Sequence, residues 1–197
     1  MLELINKGKG DLPTKLNLGC GKKFLQDYVN VDTNIGKLMD KDCWIFEGEI
    51  KSPQDLPSNW FEYISAEMVM EHIHPDLISN LLYCLYNMMS TEGKLEIIVP
   101  NFLTLSKTLV INETKSPSLS FNEFKIIREI NNEMLMPYMG EELGMAHQSI
   151  WTPKMAKYWL NSEGFDIKSI KEFGYNNFHL KIIATKSEGN NYASPTL

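Results

Sequence analysis

Two periods of apolar and polar positions alternate along this chain. Residues 16–19, 28–32 and 43–46 are short apolar runs bounded by Gly, Asn, Asp or Lys, and residues 60–66 alternate large and small side chains. All four read as strands. Residues 51–59 carry Pro53, Pro57 and two serines and read as a loop. The period then changes. Leu77, Ile78, Leu81, Leu82, Leu85, Met88 and Met89 share one face of a helix that Pro75 and Asp76 suit as first-turn residues. Thr91-Glu92-Gly93 is expected to end that helix, and residues 94–99 form a further strand closed by Pro100-Asn101. Residues 153–163 read as an amphipathic helix stopped by Gly164. Residues 165–170 and 178–185 read as a closing pair of strands. The stretch 101–150 interrupts this order, with helices expected at 102–110 and 121–135. The first dozen residues read as a loose lead-in and 187–197 as a mobile polar tail. Strands alternating with helices predict an α/β fold with a mostly parallel sheet, in one domain over 1–186.

Composition narrows the function classes. The chain is acidic, with 19 basic against 25 acidic residues and a formal net charge of -6. That balance disfavours nucleic acid and anionic membrane as general partners. The three cysteines, Cys20, Cys43 and Cys84, are odd in number and form no CxxC pair, so reduced thiols are expected. No apolar run approaches the ~18 residues of a membrane span. The opening MLELINKGKGD lacks the apolar core of a signal peptide. A cytoplasmic location is expected.

The densest chemistry lies in KLNLGCGKKFLQDYVNVD, residues 15–32. Ligands of open parallel sheets sit beyond the carboxyl ends of the strands. Gly19 and Gly21 would end the first strand there, where the lack of a Cβ permits a sharp turn and close approach. Asp32 would end the second, where a carboxylate can accept both hydroxyls of a ribose. In a dinucleotide fold the acid comes about 20 residues after the glycines, across a full helix. Here it comes sooner, and Phe24 occupies the place of the third glycine. Both departures count against a nicotinamide oxidoreductase.

With these residues in view, the segment resembles the first motif of the class I S-adenosylmethionine-dependent methyltransferases. More narrowly, it is similar to a compact subgroup with a short link between an LGCG turn and an NVD strand. Asp27 stands where that subgroup often has a glycine. FEYISAEMVMEHI, residues 61–73, resembles the family's fourth strand and its following turn, with Met70-Glu71-His72 for the usual Leu-Glu-His. EGKLEIIVPN, residues 92–101, resembles the fifth strand. HQSIWTPKMAKYWLNSEGFDI, residues 147–167, resembles the late helix and the Gly-Phe that leads into the sixth strand. The resemblance covers most of 15–186, except 101–146. It implies a Rossmann-like, mostly parallel seven-stranded sheet with helices on both faces and a helical insertion after the fifth strand. It implies S-adenosylmethionine as cofactor and S-adenosylhomocysteine as product. Gly19, Cys20 and Gly21 would line the methionine part, Asp32 would hold the ribose, and Ala66, Glu67 and Met68 would face the cofactor. Glu47, Glu49 and Asp55 compete for the adenine contact.

Methyl transfer from a sulfonium needs alignment first and a base only where the acceptor must lose a proton early. His72, in the family's Glu-His position, and His147, at the exit of the insertion, are the candidate catalytic residues. Tyr138, His147 and Trp151 are the candidate substrate contacts. His74 is expected to cap a helix and His179 to be structural. Glu71-His72-Ile73-His74-Pro75-Asp76 invites a metal reading, but no third ligand of clear spacing follows, so no metal site is expected. The function implied is methyl transfer to a small-molecule or glycan acceptor. The alternative is a non-catalytic module that keeps the S-adenosylmethionine fold and acts through a protein partner. Val99-Pro100-Asn101-Phe102 follows the fifth strand and has the wrong order for a DNA N-methylation motif. Assembly as a homodimer is compatible with the sequence.

Overall fold

The computed structural model describes residues 2–35, 42–115 and 147–187. Eight strands form one sheet: β1 (Glu3–Asn6), β2 (Lys15–Leu18), β3 (Val29–Asp32), β4 (Trp44–Glu47), β5 (Phe61–Glu67), β6 (Met89–Pro100), β7 (Phe165–Phe173) and β8 (His179–Lys186). Three α-helices are described: α1 (Pro75–Met88), α2 (Phe102–Lys115) and α3 (Pro153–Ser162). The strand order is β1-β4-β3-β2-β5-β6-β8-β7. Four neighbouring pairs, β4–β3, β3–β2, β2–β5 and β5–β6, run parallel, and the other three run antiparallel.

The expected α/β architecture therefore stands, with three corrections. The sheet has eight strands, because part of the expected lead-in is β1, antiparallel to β4. It covers the edge that β4 would otherwise present to solvent. The sheet is also mixed, four parallel pairings against three antiparallel. The helices α1 and α3 touch each other, and Cys20, Ile35, Cys43 and Ile45 form a separate small cluster with Ile5 and Phe24 against it. Finally, α1 does not run on to Thr91. It stops at Met88, and the N–H of Met89, at the start of β6, still donates to the Leu85 carbonyl. Gly93 lies in β6, where a Cβ would come 2.7 Å from the Phe61 carbonyl oxygen, so close packing rather than a turn requires a glycine there.

Local chemistry explains the helices. Pro75 opens α1, and the His74 ring caps it by accepting the Asp76 N–H at 3.3 Å. Ile78, Leu81, Leu82, Leu85 and Met88 are buried as the period requires, whereas Leu77 is 57% exposed and lies off that face. In α3 the Thr152 hydroxyl accepts the Met155 N–H at 3.2 Å, Pro153 follows, and Ala156 and Leu160 are buried. Gly164, at a φ of 78°, ends it.

No helix joins β2 to β3. Two buried amides hold that connection instead. Asn17 and Asn30 face each other in register, and Asn17 Nδ2 donates to Asn30 Oδ1 at 3.0 Å and to the Lys23 carbonyl at 2.9 Å. Asn30 accepts the Leu25 N–H and donates to the Leu25, Tyr28 and Trp44 carbonyls. The short link folds around these side chains, which do the work of the missing helix.

Candidate functional site

The parallel strands end together. Leu18 of β2 pairs with Val31 of β3 and with Ala66 of β5, and Asp32 pairs with Glu47 of β4. The residues that follow these positions share the carboxyl edge of the sheet. Gly19 and Gly21 have φ of 63° and 50°, in the left-handed region that favours glycine. They differ in kind. A Cβ on Gly19 would lie 2.1 Å from Val69 Cγ2, so Gly19 is closed in by the turn after β5. A Cβ on Gly21 would meet nothing within 4 Å, so that position faces open space.

Asp32 stands beside it. One carboxylate oxygen accepts the Gly21 N–H at 2.8 Å and the other the Asn34 N–H at 2.9 Å. A carboxylate offers about four acceptor positions, so capacity remains for further donors. Cys20 is buried, and its thiol is pushed up to about 12, first by burial and then by the nearby Asp32 charge. It is a packing thiol rather than a nucleophile. Ala66 is wholly buried in the core, which leaves only its main chain for a ligand. Glu67 is exposed and pairs with Lys23 at 3.0 Å. Met68 has a φ of 55°, and its N–H donates to the Ile98 carbonyl. Of the three acids left open for adenine, Asp55 accepts the Lys51 and Ser52 N–H groups of its own loop. Glu47 ends β4 beside Asp32 and accepts the Ile35 N–H at 3.2 Å, while Glu49 pairs with Lys51.

A second group lies beyond β5 and β6. Met70–His72 forms a 3-10 turn that carries Glu71, which is 1% exposed, and His72. The chain returns to it at residues 147–151. The Gln148 and Ser149 N–H groups both donate to the Glu71 carbonyl, at 2.7 and 3.0 Å. Ser149 Oγ donates to the Met70 carbonyl, and Trp151 Nε1 donates to Ser149 Oγ. These bonds bring the His147 ring to 4.9 Å from the His72 ring, edge to face. Glu71, Pro100, Phe102, His147, Ser149 and Trp151 help line a cavity of about 260 Å³.

The two candidate catalytic histidines thus stand together, and His147 and Trp151 share the cavity. Trp151 is fully buried, so its indole forms wall and strut rather than a mobile clamp. Tyr138, the expected helix at 121–135 and the tail beyond Ser187 lie outside the described residues. His74 caps α1 as expected, and His179 sits in β8 against Phe173. Glu71 joins the site beside His72, the neighbour that was its signal in the sequence, whereas no spacing along the chain pointed to a third metal donor. His147 now stands with Glu71 and His72, with one donor atom from each within 4.8 Å of the others. Asn101, in the Val-Pro-Asn-Phe segment, is buried and bonds Thr104, Glu172 and the Asn177 carbonyl, a structural junction at the start of α2.

The sequence matches no protein-family model, and no curated protein matches it. Solved structures do match. An S-adenosylmethionine-dependent methyltransferase from Mesorhizobium loti aligns over 92% of this chain and 94% of its own, with TM-score 0.58 and 12% identity. One from Archaeoglobus fulgidus aligns over 89% and 86%, with TM-score 0.56 and 17% identity. The 1,6-didemethyltoxoflavin-N1-methyltransferase of Burkholderia thailandensis, solved with that compound and S-adenosylhomocysteine, aligns over 88% and 71%, with TM-score 0.56 and 9% identity. The chain has the mixed α/β, Rossmann-like fold of these enzymes. Among its described residues, no helix is long and apolar enough to cross a membrane.

Proposed function

We propose that this protein is an S-adenosylmethionine-dependent methyltransferase acting on a small-molecule or glycan acceptor. The observation that carries the reading is the shared carboxyl edge, where Gly21 faces open space beside the Asp32 carboxylate. That arrangement fits a nucleoside cofactor. Asp32 would take the ribose hydroxyls on its remaining acceptor positions, and the Gly19-Cys20-Gly21 main chain would run along the methionine part. Glu67 and Met68 would border the cofactor from the end of β5, and Glu47 or Glu49 would reach the adenine.

The cofactor, when bound, supplies an electrophilic methyl group. This chain's residues supply position. The cavity has an apolar wall of Pro100, Phe102 and Trp151 and a polar side of Glu71, His147 and Ser149. Such a lining suits a small acceptor with an apolar body and one polar group. His147, or the adjoining His72, would take the proton of an acceptor that must lose one. Titration calorimetry of the full chain with S-adenosylhomocysteine, and with NAD as control, tests the reading. Micromolar binding of the first and none of the second is expected. Binding of NAD alone would overturn it.

A further inference from the structure

We propose that Glu71, His72 and His147 form a divalent transition-metal site, of the zinc class, with an open coordination position toward the acceptor cavity. The donor set comes first. Two imidazoles and one carboxylate suit zinc and its first-row neighbours, whereas calcium and magnesium take oxygen ligands throughout. Geometry comes next. Donor atoms all within 4.8 Å of one another lie within about 2.8 Å of a common centre. Closing onto metal–ligand bonds of about 2.0–2.2 Å takes shifts of about 0.7 Å, within the reach of side-chain torsions. Glu71 is 1% exposed, and a carboxylate that stays charged at that depth needs a cation or hydrogen-bond donors beside it.

The scaffold is independent of the donors. Residues 147–151 are stitched to the Met70–His72 turn by the Gln148 and Ser149 N–H groups on the Glu71 carbonyl and by Ser149 Oγ on the Met70 carbonyl. Those bonds hold His147 against His72 through main chain, so the cluster is not a chance meeting of mobile side chains. Glu71 and His147 both line the cavity. Three protein ligands and one open position facing a cavity is the arrangement of a reactive metal site rather than a closed structural one. On the methyltransferase reading, on which this role rests, the open position binds an oxygen or nitrogen of the acceptor and orients it; with both imidazoles held by the metal, the metal rather than a histidine base eases loss of the acceptor's proton, which leaves to water.

The test uses the full chain, stripped with chelator and titrated with zinc chloride. One zinc per chain is expected. His72→Ala and His147→Ala should each weaken binding at least about tenfold, while His74→Ala, which alters only the cap of α1, should leave it unchanged. Cobalt(II) in place of zinc should give visible absorption bands of a low-coordinate site, lost in His147→Ala. Folding of each variant is checked by circular dichroism, and His147→Ala serves where Glu71→Gln fails to fold. No zinc binding to the stripped protein, or binding insensitive to His72→Ala and His147→Ala, would overturn the site. S-adenosylhomocysteine is titrated separately. Zinc binding without S-adenosylhomocysteine binding would leave the metal site standing and remove the methyltransferase reading; the reverse would do the opposite.

Discussion

The two halves of the carboxyl edge are built in opposite ways. The Gly19–Asp32 half is local: its residues fall within one short stretch, and the bonds that shape it run between neighbouring strands. The Glu71–His147 half is assembled from segments far apart in the chain, joined by main-chain bonds that no side-chain pattern announces. A local site can be read as a motif. A site assembled across distance becomes visible only when the fold closes.

The contrast can be broken most forcefully at Asn30. If the buried amides truly replace a helix, Asn30→Ala should destabilise the fold by about 2–4 kcal/mol, because it orphans buried partners on Asn17 and Leu25. Urea unfolding measures this, and a loss below about 1 kcal/mol would show the link holding itself. Asp32 comes next. Asp32→Ala is expected to weaken S-adenosylhomocysteine binding by about 1.5–3 kcal/mol, ten- to a hundredfold. Some stability should go with it, since Asp32 also accepts the Gly21 and Asn34 N–H groups. Calorimetry of the variant with parallel melting curves separates the two losses.

Gly19→Ala sharpens the difference between the glycines. It forces a Cβ against Val69 at positive φ and should cost about 1–3 kcal/mol, partly recovered in the double variant with Val69→Ala. Thermal melts of the four proteins give the coupling, and full additivity would refute it.

Alkaline pH probes the same turn more gently. The folded Cys20 thiol lies near 12, above its ordinary 9.0, chiefly through burial. The fold therefore favours the protonated form. That contribution is fully present below pH 9 and is lost as pH rises toward 12, about 1 kcal/mol of it by pH 10. Cys20→Ala should flatten the fall in stability between pH 8 and pH 10 by about that amount. The smallest effect belongs to the exposed Lys23–Glu67 pair. Lys23→Gln should change stability by about 0–1 kcal/mol, and a larger loss in urea unfolding would mean that the pair shapes the cleft.

What was legible in the sequence follows the same division. The strands later seen as β2 to β8 showed as apolar runs, and His74 and Thr152 sit where helix starts were expected. β1 was missed because Glu3–Asn6 is half exposed at a sheet edge, where burial imposes little pattern. The end of α1 was misplaced because Gly93 was read as a turn, whereas the Phe61 carbonyl excludes a Cβ there. Asn17 and Asn30 passed as ordinary strand residues, since nothing in the residue type tells a buried amide from an exposed one. His147 gave no hint of Glu71, because the bonds of Gln148 and Ser149 that bring them together join segments far apart in the chain.

One bond carries a consequence for how such a chain can diversify. The Phe102 N–H donates to the Trp151 carbonyl at 3.1 Å, so the chain that leaves β6 comes back beside its exit. Doubling the length of a loop already closed costs only about 0.6 kcal/mol. A change in chain length between these two residues therefore adds little to the cost of closing it and need not disturb the register of any strand.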